Sequence, residues 1–319
     1  MSDPKLYDVV ALGELLVDFL VVKAPENPPT LRGDAGGAPA NVLAASARLG
    51  GRTAFIGMVG RDAFGNFLAA SLMAHGIDVS GLCDTDEDGT TLAFVRIGED
   101  GERHFSFARN PGADTRLTAA DVDESMIAKS RTFHFGSLSM TTEPARSATW
   151  HAVRLAKAHG VRVSFDPNWR DSLWSDRAVA RELLRRACLE ADVVKVSEEE
   201  ALFLTGAPNV ESGLAHLVTS ESQLVVATCG ERGCLYCIGE RTGCIPSPKV
   251  EAVDTTGAGD AFLGSLLLSL APHRGSLVDL PTDSLESYLA TANRVGAWTA
   301  SHLGTMSAFP TRVEVDNFP

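Results

Sequence analysis

Short apolar runs alternate with longer segments of helical spacing along most of the chain. Apolar runs at 7–12, 53–59, 132–135, 162–165, 192–196 and 224–228 predict buried strands. Segments at 41–49, 64–75, 144–159, 177–189 and 198–205 have the composition and spacing of helices. Strands that alternate with helices favour a parallel sheet covered on both faces. The pattern predicts an α/β fold, and no change of composition divides residues 1–319 into two domains.

Two segments depart from this alternation. Residues 15–22 predict a second strand directly after the first, and residues 91–107 predict a hairpin that turns at 98–101. Apolar and polar positions alternate in both, which is typical of antiparallel strands with one solvated face. We interpret the regions at about 14–39 and 91–110 as a small sheet. Such a sheet could cover the mouth of the parallel sheet as a lid, or it could merely extend an edge of that sheet.

Composition and charge narrow the possible partners. Hydrophobic residues make up 45% of the chain and charged residues 22%, as in an ordinary soluble protein. A net charge of −13 argues against nucleic acid or an anionic membrane as a partner, because both require a basic surface. The first residues lack the basic region of a secretory leader, and no stretch reaches the roughly 18 apolar residues of a membrane span. We therefore expect a cytoplasmic protein.

Four of the six cysteines lie close together in sequence, and three of them have the spacing of a plant-type iron–sulfur site: Cys229, Cys234 and Cys237. The surrounding residues, however, predict two strands joined by a turn at 230–233. Residues three apart on a strand face opposite sides of a sheet, so Cys234 and Cys237 would diverge. We therefore favour buried thiols in a reducing compartment over a metal cluster.

The most informative chemistry lies at 254–260, where the sequence Asp-Thr-Thr-Gly-Ala-Gly-Asp precedes an apolar run. A loop that opens into a helix presents unpaired N–H groups to an anion such as a phosphate. Gly257 and Gly259 would let the backbone approach that anion, and Asp260 could act as a general base toward an attacking hydroxyl. Helix capping alone would explain one Asp or Thr here, but not two glycines between two aspartates. The segment predicts phosphoryl transfer without a Walker A lysine loop.

Two motifs resemble the signatures of the PfkB/ribokinase family of sugar kinases. The sequence Gly-Gly-Ala-Pro-Ala-Asn at 36–41 is similar to the family's N-terminal signature, and residues 254–262 are similar to its C-terminal one. The two are separated by about 220 residues and follow the family's order. The resemblance implies a ribokinase-like three-layer α/β/α sandwich, with a mostly parallel central sheet and a small β-sheet lid. It also implies an ATP-dependent carbohydrate kinase.

The resemblance carries roles to individual residues. It makes Asp260 the catalytic base and gives the transferred phosphoryl group an anion hole of three N–H groups, those of Gly257, Ala258 and Gly259. The residues that would hold the sugar hydroxyls are Asp18, Gly36, Gly37 and Asn41. Without the resemblance, Asp18 is a solvated strand residue and Asn41 is a helix N-cap.

For the nucleotide, the resemblance implies contacts from Lys195, Glu200, Thr228, Gly230, Gly233, Asn293 and Gly304. Mg²⁺ is expected with the β- and γ-phosphates of ATP, and it would reach Glu200 through water. The family often has Asn where this chain has Ser197, three residues before Glu200. Asp254 and Thr256 match ligands of a monovalent cation, which we expect to be K⁺. Asp254 could also simply bond its own turn as an Asx motif.

The segments around Arg109 and Arg170 are similar to those of fructokinases, which predicts fructose as the substrate. The resemblance favours C6 as the acceptor and fructose 6-phosphate as the product, whereas a ketohexokinase-like enzyme would phosphorylate C1. Both arginines could instead pair with ATP phosphates or an internal carboxylate such as Asp166. The alternatives are a 2-keto-3-deoxygluconate kinase or another sugar or nucleoside kinase of the family.

Two other classes of function fit less well. A non-catalytic sugar-sensing module is disfavoured because Asp260 is present. A dinucleotide-binding oxidoreductase is disfavoured because no Gly-x-Gly-x-x-Gly follows the first strand. The expected partners are therefore a sugar and ATP, and the apolar face of the lid could also pair two copies into a homodimer.

Overall fold

The computed structural model describes residues 5–23, 30–97 and 103–318. Residues 1–4 and the predicted turn at 98–101 lie outside this part of the chain. The described strands are β1 (Tyr7–Leu12), β2 (Leu16–Lys23), β3 (Thr30–Gly36), β4 (Thr53–Gly60), β5 (Asp78–Thr85), β6 (Leu92–Ile97), β7 (Arg103–Ala108), β8 (Ser130–Gly136), β9 (Arg162–Asp166), β10 (Val193–Ser197), β11 (Leu224–Thr228), β12 (Cys234–Ile238) and β13 (Arg241–Ile245). The described α-helices are α1 (Ala38–Arg48), α2 (Ala63–Ala74), α3 (Glu124–Ala128), α4 (Ala145–Ala158), α5 (Arg177–Glu190), α6 (Glu198–Thr205), α7 (Val210–Leu217), α8 (Ala258–Leu270), α9 (Thr282–Ala300) and α10 (Arg312–Asn317).

Nine strands form a central sheet in the order β13-β12-β11-β10-β9-β8-β1-β4-β5. Every neighbouring pair from β11 to β5 is parallel, while β12 and β13 are added antiparallel. Alternate residues face opposite sides: Val9 and Ala11 of β1 lie in one core, and Val10 and Leu12 lie in the other. Helices α1, α8 and α9 contribute to the first core, and α4 to α7 contribute to the second. The predicted three-layer, mostly parallel α/β fold is confirmed.

The remaining four strands form a separate sheet in the order β3-β2-β6-β7. Strands β2 and β6 are parallel, and the other two pairs are antiparallel. The rings of Phe19 and Phe94 stack on this sheet with centroids 5.5 Å apart. Within the described residues, none of its strands is hydrogen-bonded to the large sheet. The alternative that these segments merely extend the edge of the large sheet is therefore wrong.

Helix α1 begins three residues earlier than the sequence predicted. Its N-cap is Gly37, and Pro39 occupies the first turn, where the N–H that proline lacks would have no helical acceptor. Asn41 consequently lies inside the helix, and the alternative of Asn41 as an N-cap is wrong. Instead of capping α1, the Asn41 side chain donates a hydrogen bond to Asp260 of α8.

The cysteine-containing segment forms the predicted pair of strands. Strand β11 pairs antiparallel with β12, and a short 3₁₀ turn joins them. Cys234 lies in one core and Cys237 in the other, as the strand spacing predicted. All six cysteines are free thiols, and no group of three or more His, Cys, Asp or Glu in the described chain could hold a metal ion.

A search of the described helices finds none with the length and apolar character needed to cross a bilayer.

The carboxyl ends of the parallel strands meet at one edge of the large sheet. Strands β9, β10 and β11 end there at Asp166, Ser197 and Thr228. In open α/β sheets, ligands bind in the crevice outside this edge. The predicted phosphate loop, which leads into α8 from Gly257, is at the same edge, because Gly257, Gly259, Asn168 and Lys195 line one cavity.

Candidate active site

The cavity at this edge has a volume of about 260 Å³ and combines residues from both sheets. Leu16, Asp18 and Phe107 reach it from the small sheet. The predicted site residues that line it, besides Asp18, are Gly37, Asn41, Arg170, Lys195, Thr256, Gly257, Gly259 and Asp260. We call this space the sugar cavity.

Asp260 lies in the first turn of α8 and is only 7% exposed. Its Oδ2 accepts a hydrogen bond from Asn41 Nδ2 at 2.8 Å, and its Oδ1 accepts one from Asn168 Nδ2 at 3.0 Å. Two amides therefore fix the plane of the carboxylate from opposite sides. Each carboxylate oxygen keeps lone-pair capacity for a further donor, such as a substrate hydroxyl.

The electrostatics of Asp260 depend on a second buried carboxylate. Burial, and then the negative charge of Asp166, raise the pKa of Asp260 to about 6, against the effects of Lys195, Asn41 and Arg170. Lys195 Nζ forms a buried ion pair with Asp166 Oδ2 at 2.9 Å. Burial alone would lower the pKa of Lys195, but the charges of Asp166, Glu200 and Asp260 raise it, so it is an ammonium. Asp260 is thus mostly ionised at neutral pH and retains the basicity of a proton acceptor.

The loop before α8 presents free N–H groups to the cavity. Gly257 is the N-cap in a left-handed conformation, with φ of 74°. In the described chain, the N–H groups of Gly257 and Gly259 have no acceptor, whereas Ala258 N donates to Thr255 O at 3.3 Å. A Cβ on Gly259 would lie 2.9 Å from Lys195 Nζ, so this ammonium adjoins the loop. The free N–H groups and the ammonium suit an anion. The Ala258 N–H was predicted as a third donor to this anion, but it is less available because it already bonds Thr255 O.

Three of the four residues predicted to hold the sugar line the sugar cavity: Asp18, Gly37 and Asn41. Gly36 is required next to Asp18, because a Cβ at position 36 would clash with the Asp18 carboxylate. Gly37 and Asn41 line the cavity. Gly36 is not among the lining residues, and its role is to leave room for the Asp18 carboxylate. Asn41 Oδ1 is buried and has no hydrogen-bond partner in the described structure. A ligand hydroxyl would satisfy it.

Sequence reasoning missed Glu14, which also lines the sugar cavity and is 2% exposed. Its Oε1 accepts a hydrogen bond from Ala38 N at 2.8 Å, and its Oε2 is buried with no partner among the described residues. Burial raises the pKa of Glu14 to about 7. Its position directly after Gly13, which follows β1, was the available signal.

Asn168 was also missed as a site residue, although it lies in the segment compared with fructokinases. It follows β9 with a φ of 39°, and its N–H bonds Asp166 Oδ1 at 3.1 Å. That turn aims its amide at Asp260. The signal was its position two residues beyond a strand end.

The two predicted substrate arginines occupy different places. Arg170 lines the sugar cavity. The Arg109 side chain is 4% exposed and forms two hydrogen bonds, at 2.7 and 2.9 Å, to Asp114 Oδ2. Its Nη1 donates to Thr141 Oγ1 at 2.9 Å. It is not among the lining residues of the sugar cavity. For Arg109 the internal-carboxylate alternative applies, with Asp114 as the partner, and a substrate contact is not supported.

A second cavity of about 720 Å³ adjoins the first, and we call it the nucleotide cavity. Thr255 and Gly259 line both cavities, so the phosphate loop forms their common boundary. The predicted nucleotide residues that line it are Thr228, Gly230, Gly233 and Asn293. Asn293 also donates to Ile245 O at 2.9 Å and therefore has a structural role as well.

Three predicted nucleotide residues lie elsewhere. Lys195 lines the sugar cavity rather than the nucleotide cavity. Glu200 accepts hydrogen bonds from Trp169 N and Ser197 N, each at 2.7 Å, and completes a capping box at the start of α6. Ser197, which replaces the family's Asn, is the N-cap of that box. Gly304 lines a small separate space of about 30 Å³ next to Asp254 and Thr256.

This small space carries the predicted monovalent-cation residues. Asp254 is 5% exposed, and its two carboxylate oxygens accept hydrogen bonds from Thr256 N at 2.8 Å and Gly304 N at 3.3 Å. The first of these bonds is the Asx turn of the alternative interpretation. Thr256 Oγ1 is buried without a partner in the described structure. The carboxylate and this hydroxyl are oxygen donors of the kind that a hard cation prefers.

The fold and the two joined cavities define a class: an enzyme that brings a small polar substrate and a phosphate-bearing ligand to one loop. The model of the pfkB family of carbohydrate kinases matches residues 7–312. The chain belongs to this family and is a phosphotransferase. The predicted resemblance and the ribokinase-like fold are both confirmed.

Individual relatives resemble the chain over nearly its whole length. Fructokinase-1 of Oryza sativa subsp. japonica is 44% identical over 312 residues and covers 96% of both chains. The structure of fructokinase with bound ATP from Xylella fastidiosa has a TM-score of 0.90 at 35% identity over 97% of each chain. Fructokinase from Vibrio cholerae O395 with fructose, ADP and calcium ion has a TM-score of 0.88 at 34% identity, over 98% of this chain and 99% of that one. A double mutant of the same enzyme with fructose, ADP and potassium ion has a TM-score of 0.87 at 33% identity over 99% of each chain.

Proposed function

We propose that the chain is an ATP-dependent fructokinase that transfers the γ-phosphate of ATP to the C6 hydroxyl of fructose. The observation that carries this proposal is the junction of the two cavities at Thr255 and Gly259, with Asp260 on the sugar side. A sugar in one cavity and ATP in the other would bring a hydroxyl and a γ-phosphate to the same loop. The similarity to fructokinases over the whole chain supports fructose as the sugar.

In this mechanism Asp260 takes the proton from the C6 hydroxyl as its oxygen attacks the γ-phosphorus. The bond between the γ-phosphorus and the bridging oxygen breaks, and ADP leaves with its electrons. The free N–H groups of Gly257 and Gly259 stabilise the charge on the transferred group, with Lys195 beside them. The amides of Asn41 and Asn168 keep the base oriented throughout.

Unsatisfied polar atoms support a polyol as the ligand of the sugar cavity. Glu14 Oε2 and Asn41 Oδ1 are buried and lack partners in the described structure, and both residues line this cavity. Buried polar groups without partners cost about 1–3 kcal/mol each. A sugar supplies hydroxyl groups that both donate and accept, and it could satisfy both atoms.

The charges around the sugar cavity favour a neutral sugar over a sugar acid. Glu14, Asp18 and Asp260 contribute carboxyl groups, and Arg170 and Lys195 contribute cations. Because Lys195 already pairs with Asp166 and Asp260 is mostly ionised at neutral pH, a substrate carboxylate next to Asp260 would be repelled. This argues for fructose over 2-keto-3-deoxygluconate.

We further propose Mg²⁺ and K⁺ as cofactors. In the described chain no cluster of side chains forms a cage for a divalent ion, so Mg²⁺ would arrive with ATP and neutralise its phosphate charge. The Glu200 carboxylate is occupied by backbone N–H groups and could influence Mg²⁺ only through water. Asp254 and Thr256 fit a monovalent cation that would hold the phosphate loop.

At the level of the whole chain, we propose one kinase domain over residues 1–319, with the small sheet as a lid, from about 14–39 and 91–110. We also propose that the protein acts in the cytoplasm, with sugar and ATP as its partners and a homodimer formed through the lid.

The test is a comparison of ATP consumption with fructose, ribose, 2-keto-3-deoxygluconate and a nucleoside, followed by NMR assignment of the phosphorylated carbon. We expect kcat/KM to be highest for fructose, by at least about tenfold, with phosphate on C6. A higher kcat/KM for the sugar acid would overturn the proposal in favour of the alternative kinase. Fructose binding without ATP consumption would instead indicate a sensing module.

A further inference from the structure

A third cavity, of about 760 Å³, opens at the amino ends of the parallel strands. Lys5 precedes β1, Arg131 is the second residue of β8, Arg162 is the first residue of β9, and the loop after α8 lines one side. The proposed active site lies at the carboxyl ends of the same strands. Arg162 and Asp166 are the two ends of β9, so roughly 13 Å of strand separates this cavity from the proposed site. We call it the basal cavity.

The basal cavity is strongly basic in an acidic protein. The chain has 41 acidic and 28 basic residues, so an average surface should be negative. The charged residues that line the basal cavity, apart from His273, are Lys5, Arg131, Lys157, Arg162 and Arg274 against the single carboxylate of Asp192. The lining therefore carries an excess of four positive charges.

Neighbouring carboxylates cancel only part of this charge. Lys157 is paired with Glu190. Arg131 lies 3.3 Å from the carboxylate of Asp8, but Arg52 binds the same carboxylate at 3.0 Å. One negative charge is thus shared between two arginines.

Two of the other cations, Lys5 and Arg162, contact neutral groups. In the described chain, Lys5, Arg162 and Arg274 have no carboxylate within ion-pair distance. Lys5 donates to Ala128 O at 2.7 Å. Arg162 donates to the carbonyls of Leu270 and His273, at 2.9 and 2.8 Å. The partial negative charges at the ends of α8 and α3 account for Arg162 and Lys5, because Ala128 is the last residue of α3, but they do not account for Arg274.

These cations repel one another in the folded protein. Burial, and then the positive charges of Arg131 and Arg274, lower the pKa of Lys5. Burial also lowers the pKa of Arg162, against the attraction of Asp192. A bound anion would remove this repulsion, and guanidinium groups match the oxygens of a phosphate group well.

We propose that the basal cavity binds a small anion with at least two phosphate groups. Ligand sites typically have volumes of about 300–1,000 Å³, so this cavity has room for more than a single phosphate. Its cations come from three parts of the chain, before β1, at the starts of β8 and β9, and after α8, so that two separated phosphates can each meet a cation. The proposal does not depend on the reaction at the opposite edge.

The test uses inorganic tripolyphosphate as the probe, titrated calorimetrically into the full-length protein without Mg²⁺. We expect binding that has a Kd on the order of 10⁻⁵ M and weakens with added salt. Inorganic phosphate should bind at least about tenfold more weakly, because one group contacts only part of the cavity.

Two variants assign the binding to the cavity. The double variant Lys5→Gln/Arg274→Gln should weaken tripolyphosphate binding at least about tenfold. The single variant Arg274→Gln, whose side chain is exposed, tests the same effect with minimal risk to folding. Arg181→Gln removes an equal charge from an exposed position of α5 and should leave binding unchanged. Tripolyphosphate binding that is equal in the wild-type protein and in all three variants would overturn the proposal.

Discussion

At the scale of single residues, the proposed site depends on how one carboxylate is held. Asp260 accepts hydrogen bonds from Asn41 and Asn168 and is backed by the buried pair of Lys195 and Asp166. Amide donors favour the ionised form, whereas burial and the nearby Asp166 charge favour the protonated form. The balance leaves a pKa of about 6, which allows Asp260 to be ionised at neutral pH and still accept a proton.

Replacement of the base should separate catalysis from binding. Asp260→Asn keeps the size of the side chain and removes the proton acceptor, so we expect kcat to fall at least about 10²-fold. Affinities for fructose and an ATP analogue, measured by calorimetry, should change little. Asp283→Asn, on the exposed first turn of α9, is the matched control and should have normal turnover. Near-normal turnover of a folded Asp260→Asn protein would remove Asp260 from the mechanism.

Asn168 should act through the pKa of Asp260. In the wild-type protein, kcat/KM should rise with pH through about 6 as Asp260 ionises. Asn168→Ala removes a donor to the ionised carboxylate, so the pKa should increase and the midpoint should move to higher pH. The loss of rate should accordingly be greater at pH 6 than at alkaline pH. An unchanged midpoint with a uniform loss of rate would mean that Asn168 has only a structural role.

At the scale of elements, the loop before α8 joins three spaces: the sugar cavity, the nucleotide cavity and the small space at Asp254. The pattern of residues 254–260 was sufficient to predict this loop from the sequence. Glycines and small residues at the start of a helix let the backbone N–H groups approach an anion. The start of α1 was placed three residues late, since Gly-Gly-Ala-Pro resembles a loop until Pro39 is recognised as a first-turn residue. Strand β3 was not predicted individually, because Thr30–Gly36 contains two glycines and three charged or polar residues.

Ordering of this loop should depend on potassium. A cation between Asp254 and Thr256 would offset the Asp254 charge and help the N–H groups of Gly257 and Gly259 to converge. At fixed Mg²⁺, ATP and ionic strength, we expect a several-fold higher initial rate in potassium chloride than in tetramethylammonium chloride. Asp254→Asn should reduce this difference. Equal wild-type rates in both salts, with contaminating potassium removed, would show that the Asx turn orders the loop without a cation.

At the scale of the whole molecule, the sequence predicted the fold better than the site. Buried parallel strands and their helices leave strong apolar patterns, so the three layers and the separate small sheet could be predicted. The site residues that were missed carry no such pattern. Glu14 and Asn168 are single polar residues beyond the ends of β1 and β9, and only tertiary packing at the carboxyl edge of the large sheet brings them to Asp260 or its cavity. Arg109, in contrast, was predicted as a site residue and does not line the cavity. Its sequence context suggested a contact with the substrate, but its guanidinium is paired with Asp114.

The two sheets should become coupled when substrates bind. Leu16, Asp18 and Phe107 of the small sheet face the sugar cavity together with residues of the large sheet, so a bound sugar would bridge the two. We expect fructose with an ATP analogue to slow amide hydrogen exchange in β2 and β6 by roughly tenfold, equivalent to about 1.4 kcal/mol of added local stability. Strand β5, at the far edge of the large sheet, is the internal control and should change little. If fructose binds by calorimetry but exchange in β2 and β6 matches the ligand-free protein, the small sheet is not a lid. Equal slowing in β5 would indicate general stabilisation instead of closure over the sugar.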